Sequence, residues 1–482
     1  MTAPAAHPTP PAPAGATTRR RVPTRRNSEL WLIVLATALA AVFAMGAHAA
    51  LLQEVRFAAL VMPTMFGVLM LVAHSVVRFF APYADPAILP CVTFLNGLGI
   101  MFIARIDLGK VDAKDRAAIA EYGTFGFRQL LWTLVAVVAF TVVLTVLRDH
   151  RALSRYAYTL AFTGLVLVLT PAVLPASLSD PYNSGAKLWI AIPGLGQIQP
   201  SEFAKLLLMV FFAYYLVRKR EVLSLASKRV LGIDFPRPRD LGPVLVVWAA
   251  SLLVLVGSKD LGTSLMYFGC FVAMMYVATE RTSWLLIGLG LFMAGAVFAY
   301  TLFDVLQLRV SVWLDPFADP DDTGFQPIQA LFGLGTGGLF GTGPGVGAAD
   351  TIPVGRSDYI TAGIGEEAGL FGLTAVLVLY LVIVERGLRT ALMVRDSFGK
   401  LFAAGLAFSL GLQVFVIVGG VSKLIPLTGL TTPFLSYGGS SLVANWILTA
   451  LLLRISDAAR RPADVAPPSG KLSSALTEVI RR

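Results

Sequence analysis

The feature that most constrains this chain is a series of long apolar runs. A helix that crosses a bilayer needs about 20 apolar residues in succession. Twelve stretches come near that length: 30–50, 57–79, 86–105, 128–147, 156–176, 200–217, 241–257, 260–279, 283–304, 367–385, 399–421 and 433–453. No water reaches the hydrocarbon core, so each run must satisfy its own backbone polar groups, which a helix does within one segment. The expected fold class is an all-α polytopic membrane protein with about twelve transmembrane helices. Composition agrees: 56% of the residues are hydrophobic and 14% charged, against about 25% charged in a soluble domain.

The third run is the weakest, broken by Pro90 and Asn96. Residues 1–28 are rich in Pro, Ala and Thr and end in Arg19-Arg20-Arg21 and Arg25-Arg26. Such a composition buries no core and reads as a disordered cytoplasmic tail. A second tail is expected over 457–482, leaving 29–456 as the membrane domain. Ala47-His48-Ala49 resembles a signal-peptide cleavage site, but the run from Leu30 exceeds the usual apolar region of about 7–15 residues, so it reads as a retained first helix. With the N-terminus inside, 27 of the 39 Lys and Arg fall in cytoplasmic segments. The positive-inside rule therefore supports an even number of spans with both termini cytoplasmic. The net charge of +10 reads as this topology signal rather than as affinity for nucleic acid. Cys91 and Cys270 lie inside apolar runs and the four histidines are scattered, which leaves no disulfide framework, zinc spacing or metal cluster.

This orientation places Asp260 at the outer face, between two apolar runs and just after the turn Gly257-Ser258-Lys259. A charge at the bilayer centre costs roughly 2.5–3.5 kcal/mol, so a carboxylate at the edge needs a reason. Helix capping supplies one, because Asp is a good N-cap and suits the positive end of the helix dipole. Other polar residues on the same side supply a second. Three outer loops carry them: Ser184–Glu202, a long loop of about 305–366, and Lys423–Ser440. Loops longer than about 12–15 residues are usually functional or disordered, and the second is too apolar and glycine-rich for plain disorder. Gln326–Phe332 reads as a short re-entrant or interfacial helix. The glycines of 335–345 would let backbone approach a ligand closely.

Gln199-Pro200-Ser201-Glu202 fits a helix start. Lys205, one turn in, either pairs with Glu202 at i−3 or serves chemistry. As a purely structural pair near the surface the two would contribute about 0–1 kcal/mol. The glycine runs lack the G-x-x-x-x-G-K-[ST] pattern of a nucleotide loop. Glu366-Glu367 reads more readily as a solvated cap than as a catalytic pair.

Together these motifs resemble the SEDS (shape, elongation, division and sporulation) family, the RodA/FtsW polymerases of peptidoglycan. The matching stretches are Arg128–Trp132, Gly185–Trp189, Gln199–Lys205, Asp260–Thr263, Trp313–Pro316, Gln329–Gly343, Ser357–Ile360, Gly365–Glu367 and Pro433–Ser440, in family order over about 86–453. The first two helices have no counterpart in a ten-helix family core and look like an N-terminal extension of actinobacterial members. Two positions depart from the family pattern: Lys259 stands where Pro is common, and Leu188, beside Lys187, where Arg is common.

The resemblance implies a glycosyltransferase that polymerises lipid II, an undecaprenyl-pyrophosphoryl disaccharide-pentapeptide, at the outer membrane face. Asp260 is then the expected general base, its pKa raised by partial burial. The leaving pyrophosphate needs positive charge, from among Lys187, Lys205, Lys259, Arg309 and Arg356, with Lys205 placed first on its motif. A divalent cation is compatible with that task, and no cofactor is required by the residues. Trp189, Glu202, Thr263, Ser357, Asp358, Glu366, Ser436 and Ser440 are further substrate-binding candidates. The extended N-terminus and the Thr431–Ser436 variant favour an elongation role over division. A lipid II flippase and a recruiting scaffold are the alternatives. A class B penicillin-binding transpeptidase is the implied partner, because the chain has no acylation motif of its own.

Overall fold

The computed structural model describes residues 24–54, 57–110, 124–180, 187–192, 196–223, 226–230, 233–236, 241–258 and 260–462. The helices in chain order are α1 (Arg26–Leu52), α2 (Val61–Phe80), α3 (Ile88–Gly109), α4 (Thr124–Val146), α5 (Ala152–Arg155), α6 (Ala157–Val173), α7 (Ala176–Ser179) and α8 (Pro200–Leu223). They continue with α9 (Gly242–Ser258), α10 (Leu261–Thr279), α11 (Ser283–Leu302), α12 (Asp304–Leu314), α13 (Phe325–Gly337), α14 (Ile360–Met393), α15 (Ser397–Val421) and α16 (Gly439–Arg460). Two antiparallel ribbons interrupt them: β1 (Ile190–Ile192) with β2 (Gly196–Ile198), and β3 (Ala226–Val230) with β4 (Ile233–Pro236).

Among the described residues ten helices are long and apolar enough to span a membrane, not the expected twelve. The remaining two expected spans are present as shorter apolar helices, α6 and α9, of 17 residues each. At about 1.5 Å per residue such a helix falls short of a hydrocarbon core of about 30 Å. In α6, Pro171 lies in the last turn, where its missing N–H and ring end the helix early.

Two apolar clusters fill the bundle. One joins α1–α4 to α14 and α16; the other joins α6, α8, α9, α10 and α15 to the opposite face of α16. Helices α3 and α16 are therefore buried almost throughout, whereas α11 turns most of its surface outward. The expected weakness of the third run is resolved by partners. Asn96 is fully buried, its Oδ1 accepts a hydrogen bond from Trp446 Nε1 at 3.0 Å, and Thr133 lies beside it, so α3, α4 and α16 share one polar joint.

The boundaries expected for the tails shift slightly. Helix α1 begins at Arg26 rather than 29, because Arg26 and Glu29 are buried as an ion pair, with His74 Nδ1 against Glu29 Oε1 at 2.8 Å. Helix α16 runs on to Arg460, held by the ion pairs of Asp457 with Arg461 and Asp85 with Arg460. The bulk of both expected tails lies outside the described residues.

The long loop is largely helical. It contains α12 and α13, the second being the expected short helix, and α14 has already begun at Ile360. The glycine-rich stretch after α13 meets the protein's own backbone rather than a ligand. Gly369 has φ 67° inside α14, and at this break Thr342 N donates to Glu366 O, Gly343 N to Glu367 O and Leu370 N to Gly338 O. Only glycine combines that φ with so close an approach at 341 and 369.

Gly439 opens α16 directly against the Trp132 ring, where a Cβ would sit 2.2 Å from ring carbon. Gly439→Ala is expected to cost about 1–3 kcal/mol by overpacking. Gly335→Ala, with nothing within 4 Å of its Cβ position in α13, is expected to stabilise by roughly 0.5–1 kcal/mol. Thermal unfolding of the purified variants in one detergent checks both signs.

Candidate active site

Asp260 is the N-cap of α10. Its Oδ1 accepts from Thr263 N at 2.9 Å and its Oδ2 from the Thr263 hydroxyl at 2.5 Å. The capping role is real, but it does not account for the surroundings. Asp260 is 7% exposed and lines a small pocket with Lys187, Ser201 and Thr263. That pocket has about 10 Å³ of room, enough for about one water. Burial raises the Asp260 carboxyl above the usual range; the Thr263 hydrogen bonds and the charge of Arg309 oppose the shift, and Glu202 adds to it. The position thus combines a fixed carboxylate with raised basicity.

Lys187 reaches this pocket from the loop before α8. Its ammonium donates to Ala172 O at 3.4 Å and Leu174 O at 3.1 Å, the carbonyls left open where α6 ends. These partners are neutral carbonyl oxygens. Arg309 approaches from α12 and likewise donates to carbonyls, Leu427 O at 3.4 Å and Thr428 O at 3.1 Å.

Lys205 behaves differently. It is 4% exposed and bonds both Glu202 Oε2 and Gln413 Oε1 at 2.9 Å. Gln413 Nε2 donates in turn to Thr431 O at 2.9 Å. The pair expected near the surface is therefore a buried joint between α8, α15 and the loop before α16. Gln413, in the middle of an apolar run, was not singled out from the sequence, although an amide there has to find partners. Tyr267, equally unannounced, anchors the start of α8 by donating to Ser201 O at 2.9 Å.

The remaining candidates divide between two places. Ser436 Oγ accepts from Thr432 N and donates to Ser357 O at 2.6 Å, and Ser440 Oγ accepts from Gln199 N at 2.9 Å. These serines tie the loops together. Asp358 is half-buried in a larger cavity beside Arg309, and burial raises its carboxyl above the usual range. Arg356 is turned away, paired with Asp107 Oδ1 at 2.6 Å and stacked 4.2 Å from the Phe125 ring. Glu366 and Glu367 are both buried rather than solvated. Glu366 Oε1 accepts from Ala348 N at 2.9 Å, and Glu367 pairs with Arg105, which also binds Asp350 at 2.8 Å. Arg105 and Asp107 end α3, two residues apart; charges at the end of an apolar run were the signal for them. Trp189 is placed by its backbone N–H donating to Ser179 O at 3.2 Å, apart from the Asp260 pocket. Lys259 lies outside the described residues. Among the described residues no group of three or more His, Cys, Asp or Glu side chains converges to hold a metal ion.

The family model described as cell cycle protein, covering FtsW, RodA and SpoVE, matches residues 86–461. The peptidoglycan glycosyltransferase RodA of Mycobacterium tuberculosis is 50% identical over 467 residues, 96% of this chain and 97% of that protein. The probable peptidoglycan glycosyltransferase FtsW of Geobacter metallireducens is 34% identical over 337 residues, 68% of this chain and 84% of that one. Two solved structures are similar. One, described as structural coordination of polymerization and crosslinking by a peptidoglycan synthase complex, is 26% identical with TM-score 0.59, covering 79% of this chain and 99% of that one. The other, the Thermus thermophilus rod shape determining protein RodA, is 22% identical with TM-score 0.53, covering 80% and 99%, and supports the fold alone.

The Glu202–Lys205 joint yields a stability test. Removing one partner of a buried pair costs about 3–5 kcal/mol, because the other charge is stranded. Glu202→Gln is expected to lower the unfolding temperature markedly in detergent, and adding Lys205→Met in the same chain to restore most of the loss. Equal unfolding temperatures for the wild type and Glu202→Gln would place the pair in solvent.

Proposed function

The chain belongs to the FtsW, RodA and SpoVE family of cell cycle proteins, and on that premise we propose that it is a RodA-type peptidoglycan glycosyltransferase that polymerises lipid II. The observation that carries the reading is the meeting of a buried carboxylate, Asp260, with a lysine from a separate motif, Lys187, in the lining of one small pocket. Relatives named peptidoglycan glycosyltransferase RodA match 96% of the chain at about 50% identity, whereas those named FtsW match only about 68% at about 34%. That contrast, which includes the two N-terminal helices, supports elongation over division.

Asp260 takes the proton of the acceptor sugar's 4-hydroxyl. The oxygen so freed bonds to the anomeric carbon of the lipid-linked donor. The bond from that carbon to the pyrophosphate oxygen breaks, and the lipid pyrophosphate leaves with the electron pair. Lys187 and Arg309 are the cations offered to it, in place of Lys205, whose bonds to Glu202 and Gln413 commit it. Both proposed donors now hold neutral carbonyls, which they can exchange for phosphate oxygens at modest cost.

All twelve apolar helices cross or enter the membrane in this reading, over a membrane domain of about 29–456, with both termini cytoplasmic and Asp260 outside. Support comes from how the loops gather. Asp85 pairs with Arg386 and Arg460, and Asp457 with Arg461, where α14 and α16 end, while Ser357 meets Ser436 and Arg309 of α12 meets Thr428 at another place. The partner in this reading is a class B penicillin-binding transpeptidase, which supplies the cross-linking chemistry. The similarity to a synthase complex that joins polymerization and crosslinking supports it.

Asn is as good an N-cap as Asp and keeps an oxygen for Thr263 N. Asp260→Asn is therefore expected to unfold like wild type yet lose roughly 10²–10⁴-fold in strand synthesis from lipid II. Near wild-type synthesis by Asp260→Asn would reduce the residue to a cap. Because the base must be ionised and burial raises its pKa, wild-type turnover should rise with pH through a limb above the ordinary Asp value of about 3.9. For the partner, co-purification with the transpeptidase in mild detergent is expected; polymerisation unaffected by added transpeptidase would count against an activating complex.

A further inference from the structure

We propose that α1 is a strut that positions the glycine-rich loop and the start of α14, with Phe43, Gly46 and Ala47 as its positioning residues. Its effect on strand synthesis rests on the polymerase reading; the strut itself does not. Helices α1 and α2 lie outside the family match at 86–461, so the family core does not account for them. At 27 residues and 1.5 Å per residue, α1 is about 40 Å long, and it contains no proline. Its N-terminal end is pinned. Arg26 pairs with Glu29 and donates to Ala84 O, Glu29 meets His74 Nδ1 at 2.8 Å, and Asn27 Oδ1 accepts from Arg78 at 3.1 Å. Further along, Ala40 packs beside Gly97, and the Phe43 ring lies 5.9 Å from that of Phe102, which seats α1 on α3.

The other end of α1 meets the loop backbone. A Cβ at Gly345 would sit 2.8 Å from Ala47 O and 2.9 Å from Ala47 Cα, and Gly345 has φ 79°, so only glycine fits there. A Cβ at Gly46 would lie 3.4 Å from Pro344 Cβ. Gly345 N donates to Glu367 Oε2 at 2.9 Å, and Arg105, paired with Glu367, donates to Gly347 O. Displacing Pro344 and Gly345 therefore disturbs a buried ion pair between α3 and α14. A second line runs through the core. Phe102 is fully buried and packs against both Phe43 and Gly363, in the first turn of α14, where a Cβ would sit 2.9 Å from its ring. Just before that turn, Ser357 O accepts from Ser436 Oγ at 2.6 Å, and Asp358 lines one cavity with Arg309, the cation offered to the pyrophosphate. A misplacement of about 1 Å far from the chemistry can cost about 10²-fold, so fixing the start of α14 bears on turnover.

The test uses the full chain in lipid nanodiscs. Gly46→Cys combined with Pro344→Cys comes close to the Cβ spacing of a disulfide, roughly 3.5–4.5 Å. On oxidation this variant is expected to cross-link and to keep strand synthesis from lipid II. Gly46→Leu, whose side chain must push Pro344 aside, should lower synthesis at least about tenfold, in kcat more than in KM, at an unchanged unfolding temperature. It should also speed hydrogen exchange over 338–350. Gly46→Ala, whose Cβ meets Pro344 at ordinary contact distance, should keep wild-type synthesis and exchange. Should Gly46→Leu fail to fold, the disulfide alone decides. No cross-link, or loss of synthesis once it forms, overturns the strut, as does wild-type synthesis by Gly46→Leu. If wild type makes no strands but the cross-link forms and exchange still rises in Gly46→Leu, the polymerase reading fails and the strut stands.

Discussion

A charge carried into an apolar bundle has to be met there, and that demand fixes where the loops of this protein lie. Lys205 sits on α8 with its own Glu202, but the third partner, Gln413, belongs to α15, and Gln413 in turn holds Thr431. Arg105 at the end of α3 draws in Asp350 from the long loop and Glu367 from α14. Asp107 beside it accepts from Phe125 N and Gly126 N at the start of α4 and binds Arg356. Each of these clusters includes a partner far away in sequence: Gln413 for Lys205, Asp350 for Arg105 and Arg356 for Asp107. In water they would contribute little. Buried, each is costly to break, because the abandoned charge has nowhere to go.

Asp260 stands apart from this pattern. Its hydrogen-bond partners are neutral and local, both from Thr263. Among the described residues no cation pairs with it directly, although Arg309 acts on it from a distance. A guanidinium in contact with a carboxylate favours the ionised form and so weakens it as a base. Capping a helix gives the carboxylate a fixed direction while leaving its basicity to be raised by burial. The fold thus satisfies its structural charges with counter-charges and the proposed base with dipoles, and the two kinds of residue are told apart by their partners.

That distinction was only partly legible in the sequence. Apolar run length located the ten helices long enough to span among the described residues, and two shorter apolar ones, because span length follows directly from bilayer thickness. It overestimated 156–176, whose helix ends at Val173 just after Pro171, whereas 241–257 was itself only 17 residues, the length of α9. Asp260 and Lys187 were readable as polar residues flanking apolar runs. Their convergence was not, since it depends on the end of α6 and the ribbon after it. Lys205 looked like a phosphate ligand because its motif shows Glu202 but not Gln413, which lies 208 residues further on. The same holds for Glu366 and Glu367, solvated on a helical wheel but buried by backbone arriving from Thr342 to Ala348.

The distribution of polar groups also bears on how substrate moves. A carrier that exposes its cargo to both sides in turn needs a polar site near the midplane, usually at broken helices. Here α10 runs unbroken from its cap at Asp260 to Thr279. The non-helical break in α14, at Gly369, lies at the loop end and is sealed by backbone hydrogen bonds from 338–343. The interior polar joint of Asn96, Thr133 and Trp446 is neutral and internally bonded. Opening a path past it would strand those groups in hydrocarbon at several kcal/mol each. The physics therefore favours chemistry carried out at one face, with the lipid tail left in the membrane, over passage of a sugar headgroup through the bundle.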